Sequence, residues 1–190
     1  MAIGLYGGSF DPVHFGHLIT AQSVLELRNL DRIVFMPSHI SPLKQDAEPI
    51  EDIHRLEMVR LAAESNPKFL VSDLEIIKGN VSYTYNTLCE LNKFYDEIEL
   101  IIGLDNILVF EKWFKPNEIF DMAKVVVMKR EVKNIRVGSS IFFEKAVFVD
   151  TPNIEISSTE IRERIKNGLT IDYLVPQKVK EYISENRLYL

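Results

Sequence analysis

Apolar residues along the chain fall into short, nearly unbroken runs separated by stretches in which they recur every three or four positions. The runs at residues 2–6, 32–37 ("RIVFMP"), 68–76 ("KFLVSDLEI"), 97–105 ("EIELIIGLD") and 123–130 ("AKVVVMKR") are rich in Val, Ile, Leu and Phe. They read as strands buried on both faces. Between them, Leu18, Ala21, Val24, Leu25 and Leu27 mark a helix over 17–27, and Ile53, Leu56, Val59 and Ala63 mark another over 52–65; residues 82–95 and 116–122 read as two more. "KAVFVD" at 145–150 is a candidate sixth strand, after a less regular stretch. Residues 157–168 suit a short helix, and Val175, Val179 and Ile183 mark a terminal one. Pro42, Pro49 and many polar groups make 38–52 a surface loop.

Regular alternation of strand and helix predicts an α/β fold, a doubly wound parallel sheet with right-handed crossovers. In that class ligands gather beyond the carboxyl ends of the strands. "GGSFDPVHFGH", "PSHISPLK", "GLD" and "KRE" each follow a predicted strand, so one mouth would collect all four.

Composition narrows the partners. With 190 residues, 46% hydrophobic and 26% charged, the chain is sized for one domain over 1–190, with a helical subregion from about 157. A net charge of −6 argues against nucleic acid as a partner, because a basic face normally supplies that affinity. A phosphorylated small molecule remains open, since local donors rather than total charge decide. No run is long enough to cross a bilayer and "MAIGLYGG" lacks the form of a signal peptide, so a cytoplasmic protein without a membrane partner is expected. Cys89 is the sole cysteine, which excludes an intrachain disulfide and suits a small apolar packing role on a helix. Homo-oligomerisation is left open.

The stretch "GGSFDPVHFGH" concentrates the chemistry. Gly7 and Gly8 let backbone approach a ligand, Ser9 adds a donor, and Asp11-Pro12 fixes a turn. The helix that starts near Gly16 or His17 presents unpaired N–H groups and a positive dipole end, while His14 and His17, three apart, can converge on one anionic point. A metal pair is the competing reading, but neither an HExxH helix nor a third ligand accompanies it. GxGxxG and the GxxxxGK[ST] loop are both absent. In "ISSTEIRERI", Ser157 and Glu160 form a capping box and Ile161 and Ile165 an apolar edge, which leaves Arg162 and the amides near Ser158 and Thr159 over for anion binding. Asp105, placed at a strand end, can accept from a ribose hydroxyl. Trp113 reads either as packing or as a stacking face. His39 and His54 read as loop or solvent histidines.

"GGSFDPVHFGHL" resembles the (H/T)xGH signature of the nucleotidyltransferase superfamily, and "ISSTEIRERI" its second signature, ISSTxIR. Within that superfamily the chain is similar to the bacterial nicotinate-nucleotide adenylyltransferase family. "HRLEMVRLA", "VSDLEI", "SYTYNTL", "IIGLDN", Lys112-Trp113 and "YLVPQKVKEYI" follow that family in order and spacing.

The resemblance implies a Rossmann-like nucleotidyltransferase fold and adenylyl transfer from ATP to nicotinate mononucleotide, giving deamido-NAD and pyrophosphate. It assigns His17 as donor to the α-phosphate, His14 as its support, and Arg162 to the β- and γ-phosphates. Gly7, Gly8, Ser9, Phe10, Lys44, Asp105, Ser157, Ser158 and Thr159 fall on the ATP side, and Tyr83, Thr84, Tyr85 and Trp113 on the pyridine nucleotide. Mg²⁺ is expected on the ATP phosphates, with no protein ligand named.

Two departures stand out: "SPLK" replaces the usual PPHK, keeping Lys44 but placing Leu43 for a histidine, and "KREV" keeps Arg130 but lacks the Arg-Pro-Gly turn. Transfer to another acceptor such as phosphopantetheine, a cytidylyltransferase activity, and a noncatalytic nucleotide sensor are the alternatives.

Overall fold

The computed structural model describes residues 1–42, 49–129 and 141–190. Six strands, β1 (Ala2–Gly8), β2 (Arg32–Pro37), β3 (Phe69–Val71), β4 (Glu97–Gly103), β5 (Lys124–Lys129) and β6 (Val147–Asp150), form one sheet in the order β3-β2-β1-β4-β5-β6. Every pairing is parallel, with Tyr6 in register with Phe35 on one side and Ile101 on the other. This is the doubly wound class that strand and helix alternation predicts, and the sixth strand is present.

Period-two alternation sends strand side chains to two separate cores. Tyr6, Ile33, Phe35, Ile101, Val126 and Met128 pack on one face under α1 (Phe15–Leu27), α2 (Asp52–Ala63), and the late helices α8 (Ser158–Lys166) and α9 (Gln177–Glu185). Ile3, Leu5, Val34, Leu100, Ile102 and Val127 pack on the other. There they meet side chains from α4 (Thr84–Leu91), α5 (Leu104–Ile107), α6 (Pro116–Met122) and α7 (Ile141–Lys145). The remaining helix, α3 (Leu74–Lys78), links β3 to α4. At Gly4 a Cβ would stand 2.7 Å from the Cδ1 atoms of both Ile33 and Ile101, so any larger residue there would require these packed side-chain ends to shift.

Several boundaries move. The strand expected over 68–76 is three residues long: Ser72 N–H donates to Phe35 O at 3.0 Å, its hydroxyl then accepts from Leu74 N–H at 3.3 Å, and the chain turns into α3. Gly79, at φ +62, ends that helix as a left-handed cap. The strand expected to run to Asp105 stops at Gly103, which puts Asp105 in the first turn of α5. The terminal helix stops at Glu185, after which Arg187 and Tyr189 take left-handed backbone angles. On α2, Ile53 is exposed and Arg55, fully buried, takes a place in the inward stripe.

Candidate active site

The sheet order reverses between β1 and β4, the point beyond whose strand ends a doubly wound fold places its ligand crevice. The loop after β1 lies at that point. Gly7 is exposed, and a Cβ there would meet nothing, so its contribution is open space; at Gly8 a Cβ would press on the Phe10 ring at 3.1 Å. Phe10 itself, at φ 48, turns its ring into the core between Tyr6, Phe35 and His17, so only its backbone faces the loop's outer side.

His14 is the N-cap of α1, and His17 occupies the third helical position. The His14 backbone N–H donates to His17 Nδ1 at 3.3 Å, and the two imidazoles stack with centroids 3.7 Å apart. An Nδ1 that accepts leaves the neutral His17 ring with its proton on Nε2, a fixed donor tautomer. A Cβ at Gly16 would stand 2.9 Å from His14 Nδ1, so glycine there is what admits the stacked pair. Edge contacts from Tyr6 and Phe10 hold the His17 ring.

Two arginines hold the loop through its backbone carbonyls. Arg55, fully buried, donates to Ser9 O at 2.7 Å, Ile50 O at 3.2 Å and His39 O at 3.4 Å, and pairs with Asp52, which also binds the His39 ring. A buried guanidinium is tolerated only when its donors are met, and these carbonyls meet them. Arg162, half-buried on α8, donates to Asp11 O at 2.6 Å and to Thr159 Oγ1 at 3.3 Å, and its Nη1 lies 3.8 Å from Asp11 Oδ2. Ser158 Oγ donates to Pro12 O at 2.8 Å, whereas Ser157 caps the helix by accepting from Glu160 N–H at 3.1 Å. Ser158, Thr159 and Arg162 are thus brought to the His14–His17 loop across nearly 150 residues of sequence. Phe15 N–H also donates to Leu174 O at 2.9 Å.

On the other side of the crevice, α4 starts at Thr84 with Tyr83 as its N-cap, so the amides of Thr84 and Tyr85 belong to a first turn without intrahelical partners. The Tyr83 and Tyr85 rings meet Phe114 at 5.0 and 5.8 Å, and Lys115 Nζ sits 4.1 Å above the Tyr85 ring. Trp113 stacks on Phe110 at 4.7 Å, and its Nε1 is buried with no hydrogen-bond partner among the described residues. Asp105 is exposed, and a Cβ at Gly103 would lie 2.5 Å from its Oδ1, so glycine lets that carboxylate fold over the strand end. Lys44 and Arg130 lie outside the described residues. Among the described residues no three His, Cys, Asp or Glu side chains gather as a metal site, and no helix is long and apolar enough to cross a membrane.

Arg55, Tyr189, Phe114 and Lys115 escape the sequence reading. His39 and His54 prove to be engaged, His39 with Asp52 and His54 through Nδ1 with the Tyr182 hydroxyl at 2.9 Å.

A family model described as cytidylyltransferase-like matches residues 5–164. The nicotinate-nucleotide adenylyltransferase of Bacillus subtilis (strain 168) is 41% identical over 189 residues, covering 98% of this chain and 97% of that protein. The probable nicotinate-nucleotide adenylyltransferase of Hydrogenobaculum sp. (strain Y04AAS1) is 41% identical over 191 residues, covering 100% and 98%. Among solved structures, the Plasmodium falciparum nicotinic acid mononucleotide adenylyltransferase complexed with NaAD superposes with a TM-score of 0.80 at 20% identity, covering 99% of this chain and 97% of that one; this likeness is one of fold.

Proposed function

The chain belongs to the cytidylyltransferase-like family and, within it, to the nicotinate-nucleotide adenylyltransferases, and from that premise we propose that it transfers the adenylyl group of ATP to nicotinate mononucleotide. A phosphate oxygen of the mononucleotide bonds to the α-phosphorus of ATP, the bond from that phosphorus to the bridging oxygen breaks, and pyrophosphate leaves with deamido-NAD as the other product. The attacking phosphate has its second pKa near about 6, so at neutral pH it is mostly dianionic and no base is needed. Alignment and stabilisation of the charge that builds on the transferred group are what remain for the protein.

The observation that carries this reading is the stacked His14–His17 pair at the start of α1, joined by Arg162 from α8. His17, with its proton on Nε2, is the donor to the α-phosphate; His14 and Arg162 serve the phosphates beyond it. The Gly7–Ser9 backbone and the Ser158 and Thr159 amides complete the ATP side, with Lys44 and Asp105 as further ATP contacts. Mg²⁺ would neutralise the β- and γ-phosphates. The Asp11 carboxylate, on the loop that carries His14, already accepts from Tyr189 and stands beside Arg162, so the residues fit an ion that arrives on ATP and water. Across the crevice, the Thr84 and Tyr85 amides suit a ring carboxylate, and Tyr83 and Trp113 frame the ring.

Pyrophosphate release tests the reading, with ATP and Mg²⁺ and one acceptor at a time. Turnover is expected with nicotinate mononucleotide. Turnover only with nicotinamide mononucleotide or phosphopantetheine would overturn the acceptor, and ATP binding without release from any would turn the protein into a sensor.

A further inference from the structure

Beyond α9 the backbone doubles back, with Arg187 at φ 52 and Tyr189 at φ 66 on either side of the buried Leu188. This brings the Tyr189 hydroxyl to the loop after β1, where it donates to Asp11 Oδ1 at 2.7 Å. Burial and the adjacent Asp11 charge raise the tyrosine's pKa, so the hydroxyl stays a donor throughout the physiological range. Asp11 is 7% exposed, and its other carboxylate oxygen stands 3.8 Å from Arg162 Nη1, which donates to the Asp11 carbonyl instead. One residue therefore receives the C-terminal tyrosine on its side chain and the α8 arginine on its backbone.

We propose that Tyr189 is a positioning residue for the phosphate-binding groups: by donating to Asp11 Oδ1 it anchors the carboxylate with Oδ2 3.8 Å from Arg162 Nη1, which keeps the guanidinium from closing onto that carboxylate and leaves it available to an anion beyond the strand ends. The inference rests on the assignment of Arg162 to ATP phosphates. The physical argument is one of competition. A buried carboxylate seeks charge-assisted donors, and with the hydroxyl removed Arg162 is the charged donor already beside it. Its 3.8 Å separation would shrink to a paired geometry, and the guanidinium would be lost to the ligand.

The test uses the full chain with Tyr189→Phe, which keeps the partly buried ring and removes only the hydroxyl. The KM for ATP is expected to rise about tenfold, in line with loss of a charge-assisted contact, with the KM for nicotinate mononucleotide unchanged. Adding Asp11→Asn removes the charge that draws Arg162 in, so the double variant is expected to regain a large part of the ATP affinity. A tail that merely packs would shift the melting temperature without separating the two KM values and without this rescue, and that pattern overturns the proposal. Calorimetric binding of Mg·ATP with no acceptor present gives the same comparison independently of which acceptor is used. Wild-type turnover with nicotinate mononucleotide judges the functional reading, and a Tyr189→Phe protein that binds ATP as the wild type does would sink the inference alone.

Discussion

His17 shows how backbone geometry selects a side chain's chemistry. Because its Nδ1 accepts from the His14 N–H at 3.3 Å, the neutral ring offers one donor, and in the proposed transfer that donor's value would lie in being held in place before charge develops. Replacing His17 with alanine is expected to lower kcat by about a hundred- to a thousandfold with little change in melting temperature; stopped or continuous pyrophosphate assays would register it, and near-normal turnover would remove His17 from the chemistry. Gly16→Ala approaches the same pair indirectly. The added methyl would meet His14 Nδ1 at 2.9 Å, so the stack must open, and at least about a tenfold loss in kcat/KM is expected with the helix itself intact by circular dichroism. At this scale the convergence of His14 and His17 was legible, because a three-residue spacing at a helix start brings both rings together. Arg55 was not: arginine normally lies outside an apolar stripe, and only the three carbonyls that converge on it explain its burial. Phe10 illustrates the reverse, since adjacency to the loop in sequence does not say that its ring turns inward.

Short elements carry a conflict that sequence periodicity misses. The apolar run that reads as one strand over 68–76 divides because β3 lies at the sheet edge, with β2 as its single partner, and a serine side chain at its end offers the backbone a turn. The resulting α3 places Glu75 against α4, where it accepts from Thr87 Oγ1 at 2.6 Å beside a cavity of about 310 Å³ that Tyr83, Lys78 and Cys89 also line. Burial raises the Glu75 pKa, against the opposing hydrogen bond from Thr87. In the folded state the carboxyl therefore holds its proton at a pH where the unfolded chain has released it. Between the ordinary glutamate value of about 4.3 and the raised folded value, the native state binds more protons, so stability falls as pH rises through that window. Glu75→Gln keeps an acceptor for Thr87 and cannot ionise. Urea unfolding at several pH values from about 4 to about 8 is expected to show the variant gaining on the wild type as pH rises; parallel profiles would mean that Glu75 ionises freely in the folded protein.

The molecule as a whole is a sheet wound in both directions from β1, and the crevice at the reversal is lined by both halves. Strand–helix alternation made the class legible, yet it does not order the strands. Their order depends on which face each crossover takes, and that is settled by packing of the two cores rather than by any local pattern. The same topology separates the site into two parts on either side of β1 and β4. The His14–His17 loop and α8, the proposed phosphate side, belong to elements packed on one face, whereas Thr84, Tyr85 and Trp113 come from elements packed on the other. A dinucleotide reaching across the crevice would engage both, while each substrate alone engages one. Deamido-NAD at about a hundred times its dissociation constant is expected to stabilise the fold by about 2.7 kcal/mol, or roughly 5–10 °C in a domain of this size. The division should also appear in variants, since His17→Ala removes a group from one part only. Its thermal shift with nicotinate mononucleotide is expected to match the wild type while the shift with ATP shrinks, and Trp113→Phe is expected to do the opposite. If either substitution abolished both shifts together, the two parts would have to be one coupled unit, and the crevice at β1 and β4 would not divide the work as its topology implies.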